Sequence, residues 1–231
     1  MGSAPSFIEI VENRIAGNSV RLPVFNTTAA RVQQEIGREE PDLRLIEKLI
    51  VSDQALTAEV MRFSNSSFYK GLTQVATVRS AIVRLGINEV SNIVTMVAHE
   101  NQFRSKDPFL NGVMRKLWCH ALATAMAAHW LSRHCGLHGI AHEAFFAGLL
   151  HDVGKLFILT VIDDLQQSGD LSVKPPVSLL MEAMDDLHAT HGYALMRHWN
   201  LPEKYSRVVR DHHAASLEVD NYLVLTVRLA N

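Results

Sequence analysis

The chain has 231 residues, 48% of them apolar and 20% charged, and a formal net charge of −2. That is room for one large domain or two small lobes, and the composition excludes disorder on a large scale. Lys and Arg are spread without a basic run, which argues against a nucleic-acid footprint, while Cys119 and Cys135 are too few for a disulfide framework or a thiolate zinc site and fit a reducing cytoplasm.

The longest apolar stretches are interrupted by His, Lys, Arg or Asp before about 18 residues, so no transmembrane helix and no membrane partner is expected. The N-terminus lacks the basic and apolar segments of a signal peptide. Its opening, MGSAPS, fits the loose myristoylation pattern.

The hydrophobic period is helical nearly throughout. SFIEIVENRIA opens on Ser6 as a cap and gathers Phe7, Ile8, Ile10, Val11 and Ile15 on one broad face. RLPVFNTTAARVQQEI predicts a helix capped by Thr27 or Thr28. PDLRLIEKLIVSD predicts one starting at Pro41-Asp42, and SDQALTAEVMRFSNSSFY one capped by Ser52 or Asp53. TVRSAIVRLGINEVSNIVTMVAHENQF reads as two helices parted near Gly86. A polar break at RSKDPFLNG separates the halves.

Beyond it, LWCHALATAMAAHWL has small residues on several faces, as in a helix packed on more than one side. HEAFFAGLLHDVGKLFILTVI reads as the next helix, and QQSGDLSVKPPVS as a loop. LLMEAMDDLHATHGYALMRHW, PEKYSRVVRDHH and LEVDNYLVLTVRLAN complete the series. The last ends in an apolar segment, as a helix cut short or closing at the terminus would. The expected class is all-α, about a dozen helices: a terminal helix over 1–21, an N-terminal helical lobe over 22–106 and a multi-helix core over 107–231.

Histidine is the unusual count, 12 in all, from His99 onward. It is the commonest metal ligand among side chains. The candidates in chain order are His120, the doublet His151-Asp152, His191 and the pair His212-His213, each on a helix or at its end. A carboxylate placed in the chain's most apolar segment needs a partner, a hydrogen bond or a metal. Imidazoles with one carboxylate suit Fe, Mn, Zn, Co or Ni better than Mg or Ca. Lys155, one turn after His151, can reach a phosphate oxygen as a point charge.

Each also has a plain structural reading. His120 alone is a core residue, His151-Asp152 a buried hydrogen-bonded pair, and His212-His213 a helix C-terminal pair favoured by the dipole. Lys155 can snorkel, and His188, His191 and His198 can line a solvated face. His129, His134, His138 and His142 are read as structural.

Taken together, LPVFNTTAARVQQEI, LIEKLIVSDQALTAEVMRFSNSSFY, TVRSAIVRLGINEVSNIV, LWCHALATAMAA, FFAGLLHDVGKL, HGYALMRHWNLPE and RDHH resemble the HDOD domain. This is the HD-related output domain of the HD superfamily of metal-dependent phosphohydrolases. The resemblance spans 22–231 and implies an N-terminal helical lobe packed on an HD-like helical core. It also implies a bacterial, cytoplasmic signalling role beside receiver, cyclase, phosphodiesterase or kinase modules.

Carried over position by position, it implies that His120, His151 and Asp152 hold a first metal. His191, His212 and His213 hold a second, and Lys155 binds a substrate phosphate. Asn231, in RLAN, stands where catalytic relatives place an Asp ligand, and an amide is the weaker ligand. No GYP follows His213, which disfavours cyclic di-GMP hydrolysis. The main expectation is a regulatory output domain with signalling-protein partners and a degenerate HD site. The alternatives are a metal-dependent phosphohydrolase acting on a phosphorylated small molecule or nucleotide, and a His-rich core that binds no metal.

Overall fold

The computed structural model describes residues 5–17, 26–66, 74–171, 174–215 and 221–231. The Leu22-Pro23 start, the helix end at Phe68-Tyr69 and the myristoylation-like opening lie outside them. The described residues contain helices and no strand, as the periodicity predicts. The helices are α1 (Phe7–Ala16), α2 (Thr27–Ile36), α3 (Leu43–Val51), α4 (Gln54–Ser64), α5 (Val78–Leu85), α6 (Ile87–Glu100) and α7 (Pro108–His134). After a 3-10 turn (His138–Ile140) come α8 (Ala141–Leu150), α9 (Val153–Ser168), α10 (Val177–His198), α11 (Glu203–Asp211) and α12 (Tyr222–Ala230).

The chain divides into two compact units. One, the lobe, covers residues 25–102; the other, the core unit, covers 1–24 and 103–231. The terminal helix α1 is thus counted with the core unit. It packs on α9 and α10, and Arg14 reaches Asp164 at 2.6 Å and Asp170 at 3.0 Å.

Within the lobe, α6 is contacted by α2, α4 and α5. The starts follow local chemistry: side-chain oxygens of Asn26, Asp42, Asp53 and Thr77 each accept from a backbone N–H of the first turn of the helix that follows. At α2 the cap is Asn26 rather than the expected Thr27 or Thr28, because its amide oxygen reaches the N–H of Ala29 at 3.0 Å. Gly86 parts α5 from α6 at φ +84°, as the sequence suggests.

In the core unit α7 starts with Asp107 as cap and Pro108 in the first turn, and it lies along α8. The helix α9 lies along α10, α10 packs on α11, and α12 bridges α7, α8 and α11. Leu149, Leu150, Leu156, Ile158, Leu159 and Ile162 are all fully buried.

Two expectations are corrected. The segment read as one helix through HDVGKL is two, broken at His151-Asp152, where Asp152 leaves helical geometry at φ −103°, ψ 18°. The other concerns membrane spans. His138–Ser168 is long and apolar enough by composition to cross a membrane, because the surrounding Leu, Ile, Phe and Val outweigh the interrupting polar residues; 89% of its most apolar window is buried in the fold. It is the central layer of the core unit, and the break at the doublet divides it.

Candidate metal centre

The break between α8 and α9 turns the doublet to one point. Asp152 is the residue before α9, yet its side chain does not cap that helix. It points instead into a ring of imidazoles brought by four helices. His120 comes from the middle of α7, His151 from the end of α8, His188 from α10, and His212 with His213 from the end of α11.

The carboxylate has two different sides. Oδ2 faces His151 Nε2 at 3.3 Å, His120 Nε2 at 3.5 Å and Lys155 Nζ at 2.9 Å. Oδ1 faces His212 Nε2 at 3.5 Å and His188 Nε2 at 3.8 Å. His213 joins this second side, its ring 4.2 Å from that of His212 and 5.4 Å from that of His188. Each side forms a group with ligand atoms within 4.8 Å of one another: His120, His151 and Asp152, and Asp152, His188, His212 and His213.

The tautomers follow from the backbone. His151 Nδ1 lies 2.7 Å from the Gly148 carbonyl and His188 Nδ1 2.9 Å from that of Met184. His212 Nδ1 lies 3.0 Å from that of Val209. A carbonyl only accepts, so Nδ1 carries the proton and Nε2 of the neutral ring carries a lone pair. Where these rings are neutral, three such lone pairs converge on the carboxylate. His188 Nε2, His212 Nε2 and Asp152 Oδ1 are all buried with no hydrogen-bond partner.

Buried polar atoms left this way are costly, and lone pairs facing lone pairs repel. A cation between them removes both penalties. The spacing suits one: bonds of about 2.0–2.1 Å in a tetrahedral shell put ligand atoms about 3.3 Å apart. The chemistry of the donors therefore fits a divalent transition metal on either side of Asp152.

The electrostatics keep the donors available. Burial lowers the pKa of His120 and His188, and the charge on His151 lowers that of His120 further. Burial and the neighbouring His212 and His188 push His213 down to about 4. For Asp152, burial alone would raise the carboxyl. His151 and His212 beside it, with the charge of Lys155, hold it far below the usual carboxylate range instead. The carboxylate is thus ionised, and His120, His188 and His213 are biased toward the neutral form that can donate a lone pair.

The structure brings together His120, His151, Asp152, Lys155, His212 and His213 of the expected set. It leaves out His191, whose half-buried ring packs 6.2 Å from that of Phe157 and feels Glu12 of α1. In its place stands His188, 4% exposed rather than on a solvated face. The reason is helical phase. His188 lies in the buried stripe of α10 with Met184, Gly192 and Leu195, whereas His191 lies on the flank. The spacing of Met184, His188 and Gly192, four residues apart each time, was the readable sign. Asn231, after α12, lies close enough to His120 to bias its titration and so stands beside the first group.

The HDOD domain pattern matches residues 22–215. The chain belongs to the HDOD family. Two HD-like crystal structures share its fold. A proposed metal-dependent phosphohydrolase from Shewanella amazonensis SB2B has a TM-score of 0.79 at 22% identity, covering 96% of this chain and 80% of that one. An HDOD domain protein of unknown function from Geobacter sulfurreducens has a TM-score of 0.75 at 23% identity, covering 96% and 76%. A curated relative, an uncharacterized protein of Treponema pallidum (strain Nichols), is 26% identical over 220 residues. That stretch is 91% of this chain and only 41% of the relative's length.

Proposed function

We propose that this HDOD chain is a cytoplasmic regulatory output domain of bacterial signalling, whose HD core binds divalent transition metal without efficient turnover. One observation carries the reading: a single carboxylate serves both donor groups, and the residue beside His120 is the neutral Asn231. Two divalent cations against one carboxylate retain a large positive charge. That favours tight capture of an anionic ligand, or of a partner's acidic group, over release of a phosphate product. The partners proposed are signalling proteins.

The alternative is phosphoester or nucleotide hydrolysis. The observation favouring it is Lys155, whose side chain is 18% exposed and sits 2.9 Å from Asp152, beside the more open His120 at 40%. Its ammonium is placed to hold a phosphate at the rim. A metal there would supply Lewis acidity and an activated water, and Asp152 would hold it.

The test joins metal content by elemental analysis to a screen of phosphodiesters, phosphomonoesters and nucleotides, with Asp152→Asn as control. Bound metal in the wild type, absent from the variant and without turnover, is the expected result. Turnover that the variant abolishes would replace this reading with the hydrolase. Absence of metal after supplementation would return the cluster to a structural role.

A further inference from the structure

Three glycines stand where the helices carrying the histidines cross. A Cβ on Gly154, two residues after Asp152, would lie 1.9 Å from the carbonyl oxygen of His188, 2.6 Å from its carbonyl carbon and 2.8 Å from its Cα. These are backbone atoms and cannot rotate away. Gly192, one turn after His188, faces back: its Cβ would lie 3.1 Å from Gly154 N and 2.7 Å from a methyl of Val209, three residues before His212. The start of α9 and the middle of α10 thus meet backbone to backbone beside Asp152 Oδ1, and the Val209 side chain of α11 closes on Gly192.

A second crossing serves the other oxygen. A Cβ on Gly148 of α8 would lie 2.9 Å from Ala125 Cα and 3.1 Å from the Thr124 carbonyl oxygen, and Thr124 is one turn after His120 on α7. The Gly148 carbonyl is also the group that holds His151 Nδ1, at 2.7 Å.

We propose that these glycines are positioning residues, each crossing setting one half of the centre. The Gly154–Gly192 crossing places His188 and His212 against Oδ1. Gly148 places His120 and His151 against Oδ2. The inference rests on the reading of the cluster as a metal centre for its consequence, and on the geometry alone for its cause. Side chains at Gly154 or Gly148 force the neighbouring helix outward, and a ligand moved by a fraction of an ångström no longer completes the shell.

The experiment is a Co²⁺ titration of the full chain followed by visible absorption, with imidazole NMR of the metal-free protein alongside. The wild type is expected to take up two ions. Gly154→Ala is expected to weaken one of them by about 10–100-fold, the range for lost ligand support, and to leave the spectrum that His213→Ala leaves. Gly148→Ala is expected to weaken the other and to match His120→Ala. In metal-free protein, contacts between the His188 and His212 rings should fade in Gly154→Ala and persist in Gly148→Ala.

Gly192→Ala, which meets mainly a side chain, should show a milder form of the Gly154 effect, and Val209→Ala added to it should restore binding. That pair decides the matter if Gly154→Ala does not fold. Glycine variants that fold and bind both ions as the wild type does, or lose both equally, overturn the proposal. If the wild type binds no ion, the metal reading fails; the ring contacts then decide the positioning, and unchanged contacts in Gly154→Ala reject it.

Discussion

His188 Nε2 faces Asp152 Oδ1 at 3.8 Å, the oxygen turned away from His120 and Lys155. A buried carboxylate is thereby shared between two donor groups that come from different helices. A bridging carboxylate can hold two cations close together while supplying one negative charge.

His188 and His191 are three residues apart, and they are expected to behave differently. His188→Ala should lose one bound ion, and its melting temperature should rise less when metal is added, since only native-state binding stabilises. His191→Ala should keep full metal content. Elemental analysis of the two variants decides it; equal loss in both would place His191 at the centre.

Asn231→Asp should tighten metal binding at the His120 group. A carboxylate replaces a neutral amide that stands beside His120, and carboxylates are the better ligands of divalent cations. A gain of about tenfold is expected, in line with the lower end of ligand-support effects. Calorimetric titration with Mn²⁺ or Zn²⁺ measures it, and unchanged affinity would mean that Asn231 lies outside coordinating reach.

In chelator, stability should fall between about pH 6.5 and pH 4, with the upper bound set by the ordinary imidazole pKa. Burial pushes His99 down to about 4, and burial with neighbouring imidazoles does the same to His213. A folded pKa below the unfolded one means that the unfolded chain binds more protons in that window. Protons there favour unfolding, and stability is regained as pH rises through it. Asp152, held far below its ordinary range, adds a further loss once the unfolded carboxyl protonates below about pH 4. Urea midpoints at pH 7, 5.5 and 4.5 test this; a flat series would show that His99 is not buried as described and that His213 is not held down by its neighbours.

Gly86→Ala should destabilise the lobe by about 1–3 kcal/mol, because φ +84° with ψ 157° is a region that side chains avoid. No atom lies within 4 Å of the added Cβ, so the cost is conformational rather than steric. Urea unfolding reads it, and a change within error would mean that the α5–α6 junction relaxes freely.

The helices were legible because their causes are local. Caps at Ser6, Asp42 and Asp53 and the break at Gly86 are written in neighbouring residues. So were His120, the doublet and the His212-His213 pair, which stand out as polar residues in apolar surroundings or as repeated types. Two features were hidden. The break at His151-Asp152 lies between two apolar runs of helical period, with no proline and with Gly154 beyond it, so period alone extends the helix. The choice between His188 and His191 turns on a phase difference of about 60° on one helix. The Met184, His188 and Gly192 spacing points to it, and the crossing with α9 settles it through Gly154, which is distant from α10 in sequence.

The hydrogen bonds from the imidazole Nδ1 atoms to helix carbonyls have a thermodynamic consequence. His151 and His212 sit at the last turns of α8 and α11, where carbonyls run short of intrahelical donors, and their rings donate to the Gly148 and Val209 carbonyls. Each ring is anchored by a bond that its coordinating nitrogen does not use. The rotamer entropy of these ligands is therefore surrendered during folding, and little of it remains to be lost when a cation arrives. On the proposed metal reading, uptake and release would proceed without the helix ends unravelling, as a reversible occupancy of a socket that folding has already shaped.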